Sequence, residues 1–241
     1  MNNTERITNF VCFDVETTGL SPVKDKIIEI GALKVKNGKI VEKFEEFINP
    51  QIELPERIVA LTHITDDMLK NAETEEKVVG RFLDFVGDNI IMGHNIGFDY
   101  SFVKTAAVKC KRNFDNLGID TLELSRVLLP DMESKSLESM CRHYNIINQN
   151  AHRAYDDAKA TALLYVSLSN EFFSLKPEVF KPKPLYYKVR KINPITTKQK
   201  NYLLDLIKYH KIENIQSVDT LTQSEASRII DKIILKKGRI I

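Results

Sequence analysis

Cysteine is scarce in this 241-residue chain: Cys12, Cys110 and Cys141 stand singly and show no zinc-type pairing. So sparse and odd a set excludes a disulfide framework and suits a reducing compartment, with each thiol read as a small buried hydrophobe. Long apolar runs are missing too, and no stretch is long enough to span a bilayer. The polar opening Met1-Asn2-Asn3-Thr4-Glu5-Arg6 leads into no apolar run, so no secretory signal is expected. The expectation is a soluble, cytoplasmic protein with no membrane partner. Internal repeats and low-complexity tracts are absent. Proline is thin except in one place: four of the eight (Pro177, Pro182, Pro184 and Pro194) fall within residues 176–195.

What is present is a core. Hydrophobic residues make up 43% of the chain, enough for one large domain or a medium one with a small companion. The charge is divided unevenly. Residues 1–175 carry 20 Lys+Arg against 27 Asp+Glu, whereas residues 176–241 carry 15 against 6. An acidic front fits a metal site, and a basic back fits a phosphate backbone.

Apolar patterning predicts three opening strands: residues 7–14, residues 26–36, and a return strand from Lys39 to about Ile48 across an Asn37-Gly38 hairpin turn. Helices are expected at 65–68 and 73–86, a buried strand at 89–93, and a helix from Gly97 to about Arg112. A short strand at 119–120 follows, then helices at 122–129, 136–144 and 154–173. The longest should face the sheet with Ala158, Ala162, Leu163, Val166, Phe172 and Phe173. This order gives an α/β fold, a mixed sheet flanked by helices. The proline-rich stretch 176–195 reads as an extended linker. Residues 196–241 read as a small helical module, with Thr222 and Glu225 at capping-box spacing. The domain reading is therefore 1–175, a linker 176–195, and 196–241.

Three short stretches hold chemistry. Asp14 and Glu16 are two apart in a strand, so both carboxylates leave one face and repel unless a cation sits between them. Mg²⁺ and Mn²⁺ prefer such oxygen ligands. Thr17-Thr18-Gly19 then turns the chain away, and the glycine permits close backbone approach. Asp99 opens a helix after the buried strand, with His94 and Asn95 ordering the loop before it. His152 and Asp157 are five apart, so His152 belongs to the loop before the long helix and Asp157 to its first turns. Asp156 competes with Asp157, and helical phase barely separates them. His152 suits a general base because imidazole titrates near neutrality. Four carboxylates can hold two divalent cations and a histidine can activate a water, which is chemistry that cuts phosphodiesters.

Together these stretches resemble the DnaQ-like 3′–5′ exonucleases with a catalytic histidine. The nearest likeness is to the proofreading exonuclease domain of bacterial replicative polymerases. It covers about residues 7–172 and runs through Phe13–Leu20, Ile27–Ala32, Leu61–Thr65, His94–Asp99, Asp120–Leu124 and His152–Ala158. The resemblance implies a ribonuclease H-like fold. It implies two Mg²⁺ or Mn²⁺ ions on Asp14, Glu16, Asp99 and Asp157, in preference to Asp156, and His152 as the base. It implies that Thr17, Thr18, Gly19 and Leu20 hold the 3′-terminal nucleotide, with Leu20 and Ile64 against bases. His63, Asn95 and Phe98 are further substrate-side candidates. One departure is His63, where many relatives have glycine. The expected partners are single-stranded or frayed 3′ ends of DNA, with RNA as the alternative and a DNA polymerase subunit as a further candidate. A non-catalytic adaptor is the rival from another class. Residues 176–241, with Tyr186-Tyr187 set among Lys181, Lys183, Lys188, Arg190 and Lys191, read as a tethered nucleic-acid grip.

Overall fold

The computed structural model describes residues 5–189, 193–212 and 218–240. The chain divides into two compact units, Met1–Val189 and Arg190–Ile241.

The first unit opens with strands β1 (Phe10–Thr17), β2 (Ile27–Lys36) and β3 (Lys39–Asn49) as an antiparallel meander. The Asn37-Gly38 turn joins the last two with φ 51° and 74°, the positive values that a primed hairpin turn requires. Helices α1 (Glu56–Thr62) and α2 (Asp66–Leu69), strand β4 (Glu73–Thr74) and helix α3 (Glu75–Val86) come next. Strand β5 (Ile91–Gly93), helix α4 (Gly97–Lys109), strand β6 (Leu117–Asp120) and helices α5 (Thr121–Leu128), α6 (Leu137–His143) and α7 (Ala154–Phe172) complete the main body. A 3-10 turn, Pro177–Phe180, leads to strand β7 (Lys183–Pro184). The sheet order is β4-β3-β2-β1-β5-β6-β7, with β1, β5 and β6 parallel to one another.

β1 lies mid-sheet and is covered on both sides, so it is apolar at nearly every position before Asp14. Val11, Phe13 and Val15 join one core with Phe82 and Val103 of α3 and α4. Phe10 and Cys12 join the other, with Leu124, Met140 and Leu168 of α5, α6 and α7. Asp14 and Glu16 continue the second face. α7 rests on that face through small residues, Ala154, Ala158, Thr161 and Ala162. Leu163 and Val166, expected to face the sheet, are 44% and 46% exposed. Small residues let the first turns of the helix approach closely, and Leu164, Tyr165 and Leu168 fill the core further along, while Leu163 and Val166 turn outward.

α1 had no periodic signal in the sequence. It is seven residues long with only Ile58 and Thr62 buried. The expected linker is also redrawn. Phe180 is buried beside Tyr165 and Phe173, β7 pairs with β6, and Leu185 and Tyr187 pack on the first core. Pro177 begins the 3-10 turn, where its missing N–H costs nothing, and Pro184 sits on an edge strand. Pro177, Pro182 and Pro184 thus lie inside the first unit, and Pro194 lies in the second, bridged to Thr222.

The second unit contains α8 (Thr197–Tyr209), a 3-10 turn (Val218–Thr220) and α9 (Gln223–Lys237). Capping boxes at Thr196–Gln199 and Thr222–Glu225 start both helices. Leu203, Leu206, Ile230 and Ile233 form its core.

Candidate active site

The pairing of β1 with β2 sets Asp14 opposite Gly31 and Glu16 opposite Glu29. These four positions share the face that α7 covers. A Cβ added at Gly31 would lie 1.9 Å from the backbone nitrogen of Tyr155 and 2.2 Å from the carbonyl carbon of Ala154. Only glycine lets the first turn of α7 sit there. That contact brings Asp157 over the acidic end of β1.

Glu16, His152 and Asp157 each offer a donor atom, and these atoms lie within 4.8 Å of one another. Asp14 and Asp99 lie outside this trio, but both act on it. Burial pushes the Asp14 carboxyl well above the ordinary aspartate range, helped by the charges of Asp99, Glu16, Asp157 and Glu29. Burial raises Glu16 to about 9, with Asp157, Glu29 and Asp99 adding to the rise and Arg153 opposing it. Burial raises Asp99 to about 8, even though its carboxylate accepts a 3.0 Å hydrogen bond from the Val15 amide. Asp157 is raised by burial and held back by the Asn148 side-chain amide and the His152 backbone amide, which donate to it at 2.5 and 3.1 Å. A pocket of acids this short of positive charge fits oxygen-seeking divalent cations. Asp156 takes a different course: it accepts from Asn150 at 3.0 Å and lines a separate cleft with Ile147 and Lys159.

His152 is exposed and has φ 65°, a left-handed backbone uncommon outside glycine but enriched in histidine and asparagine. His63 (φ 58°) and Asn95 (φ 67°) share that conformation. His63 is the left-handed residue that ends α1, a position that favours glycine. Asn95 is fixed by its amide donating to Asp120 at 2.9 Å. His94 orders the loop, as expected: Nε2 donates to the Lys135 carbonyl at 2.8 Å, Nδ1 meets Thr121 Oγ1 at 2.9 Å, and burial lowers its pKa.

Beside the acids lies a groove of about 390 Å³ lined by Glu16, Thr17, Gly19, Leu20 and Phe98 and, from α1, by Arg57, Ile58 and Leu61. Leu20 stands 80% exposed at its edge. Phe98 lines it while packing on Phe102. Thr18 does not line it; its amide and hydroxyl bond to Lys26 and close the turn. Ile64 is fully buried with Ile28, Leu54 and Leu69, so its side chain is not available to pack against a base. His63 and Asn95 lie outside the groove lining. Arg57 carries no separable signal in the sequence, and Leu61 opens the Leu61–Thr65 stretch without showing that α1 turns it into the groove.

Residues 11–165 match the model of a family described as exonuclease. The chain belongs to the exonuclease family. This exonuclease is 45% identical over 159 residues to the PolC-type DNA polymerase III of Caldanaerobacter subterraneus subsp. tengcongensis, covering 66% of this chain and 11% of that one. The Bacillus subtilis PolC-type polymerase is 44% identical over 161 residues, with the same coverage. The chain therefore spans about a tenth of the length of these relatives. Among solved structures, exonuclease X bound to duplex DNA with a 5′ overhang superposes with a TM-score of 0.57 at 24% identity, covering 68% of this chain and 92% of that one. The zinc-bound E. coli ExoI–ssDNA complex gives 0.63 at 22% identity, covering 72% and 42%. The sheet and its helices are those of the ribonuclease H-like fold, and the likeness to DnaQ-like nucleases holds. Among the described residues, no helix is long and apolar enough to cross a membrane.

Proposed function

We propose that this exonuclease hydrolyses DNA from the 3′ end and releases nucleoside 5′-monophosphates. The observation that carries the reading is the convergence of Glu16, Asp157 and His152 within 4.8 Å, beside the half-buried Asp14 and the buried Asp99. Asp14, Glu16, Asp99 and Asp157 would hold two Mg²⁺ or Mn²⁺ ions, which when bound supply a water acidic enough to attack and a charge to stabilise the leaving oxygen. His152, exposed at the rim, would take the proton from that water. The groove with Leu20, Phe98 and Leu61 would hold the splayed terminal base, and Arg57 would meet a phosphate at its edge. The DNA bound in the exonuclease X and ExoI complexes supports DNA as substrate, and the PolC-type relatives support a polymerase setting.

The basic second unit would grip a nucleic-acid strand. Arg228, Lys232 and Lys236 are exposed at four-residue spacing along one side of α9, Arg239 is exposed just beyond its end, and none makes an ion pair among the described residues. Tyr186, 92% exposed, is free to stack, whereas Tyr187 is committed to the core. Arg190 and Lys191 lie outside the described residues.

The test uses matched DNA and RNA strands, single and paired, labelled at either end, with and without Mn²⁺. Metal-dependent release of mononucleotides from DNA 3′ ends is expected, with His152→Ala slower by about 10²–10⁴. Preference for RNA would replace the substrate. Strand binding without release would make the protein an adaptor.

A further inference from the structure

We infer that Glu29 and Arg153 form a positioning clamp for His152 and Asp157; this rests on the nuclease reading of the site. Glu29 is fully buried on β2, directly opposite Glu16. Two carboxylates facing each other across antiparallel strands repel, and a buried charge needs a partner. Arg153 provides it. Nη2 donates to Oε1 at 2.7 Å, and Nε reaches both carboxylate oxygens at 3.2 Å. The Ala154 amide donates to Oε2 at 3.1 Å. Both oxygens of Glu29 are thus engaged, so it is not a further acid waiting for a cation.

The Ala154 amide is the first of α7, one of the helix amides with no partner inside the helix. Arg153, at the N-cap position, makes no side-chain cap. The capping oxygen comes instead from a strand 125 residues away. The guanidinium is further held over the Phe47 ring at 5.2 Å and near Glu45 at 3.8 Å. Arg153 lies between His152 and the start of α7, so fixing its two ends fixes the left-handed turn at His152. The His152 amide in turn donates to Asp157. Gly31, two residues along from Glu29, lets the helix come down to that depth.

A buried ion pair seldom earns its place through fold stability alone, because apolar replacements often hold a fold equally well. Fork geometry is what an arginine adds over a lysine. The clamp therefore acts through placement, and neither residue need touch the reacting atoms.

The test compares wild type, Arg153→Lys and the double variant Glu29→Gln/Arg153→Met, which leaves no unpaired buried charge. Kinetics on a single-stranded DNA with Mn²⁺ are paired with hydrogen exchange on the metal-free proteins. We expect kcat to fall about 10–100-fold in the double variant, within the range attributed to losing the outer support of a metal site. KM should stay within about threefold if the substrate groove is intact. The amides of residues 154–157 should exchange faster while the two cores stay protected. Arg153→Lys should recover melting temperature but not kcat. Full recovery of kcat by lysine would mean that charge balance, not placement, is the role, and would overturn the clamp. So would wild-type kcat in the double variant, or unchanged exchange at 154–157. A wild-type protein that releases no mononucleotide would remove the nuclease reading instead, with the exchange result still standing.

Discussion

Glu16 and Glu29 face each other across β1 and β2, yet the protein treats them oppositely. Glu29 is tied by Arg153 and the Ala154 amide, while Glu16 is pushed up to about 9 by burial and by Asp157. One acid is structurally neutralised, and the other is left wanting a cation.

A pH dependence follows for the metal-free protein. The native state keeps protons on Glu16 and Asp99 up to about 9 and about 8, whereas the ordinary values are 4.5 and 3.8. Between those limits the native state binds more protons than the unfolded chain, so its stability falls as pH rises. This contribution is complete below the ordinary values and gone above the raised ones. Melting of the metal-free protein should drop between pH 6 and 9 by roughly 3–5 °C per unit for each proton so held. Saturating Mg²⁺ should flatten the drop, and Asp99→Asn should weaken it. A metal-free profile as flat as the Mg²⁺ profile would contradict the coupling.

Asp157→Asn should abolish cleavage, and Asp156→Asn should leave it near wild type. The first loses an oxygen beside Glu16 and His152; the second loses a bond to Asn150 in a separate cleft. Initial rates of mononucleotide release decide it, and the reverse pattern would exchange the two assignments.

His63→Gly should stabilise the first unit by about 0.5–1 kcal/mol, because φ 58° strains a residue with a Cβ. A melting rise of roughly 2–4 °C is expected. His63 is exposed and lies outside the groove lining, so turnover should change little. A large rise in KM would instead place the imidazole on the substrate.

A chain ending at Val189 should melt as the first unit does in the full protein. One ending at residue 175 should lose more than about 3–5 kcal/mol, the usual cost of removing a buried phenylalanine, because Phe180 goes with it. The longer truncate should bind long strands more weakly, with a shallower dependence on salt. Affinities and slopes identical to the full chain would rule out the grip and favour docking of a protein partner by the second unit.

Much of this arrangement was legible in the sequence because it is local. The two-residue spacing of Asp14 and Glu16 set their shared face, and the five-residue spacing put His152 before the helix and Asp157 within it. The parts that escaped depend on contacts between distant segments. Asp157 and Asp156 are both plausible until Gly31 fixes the height and rotation of α7. Glu29 looks like one more strand residue until Arg153 meets it. Ile64 sits beside exposed His63, and only packing shows its side chain pointing inward. The proline density after residue 176 was misleading, since an edge strand and the start of a 3-10 turn tolerate proline as readily as a tether does.

The bond between Glu29 and Arg153 spans 124 residues, about two thirds of the first unit. Contacts so far apart must close their loop before they stabilise anything, so they form slowly. During synthesis, Asp14 and Glu16 emerge long before Asp157 and His152 exist. A partly made chain therefore carries half a site and no helix to complete it. Local opening at the α7 end would have the same effect in the finished protein, so cutting competence is tied to completion of the fold.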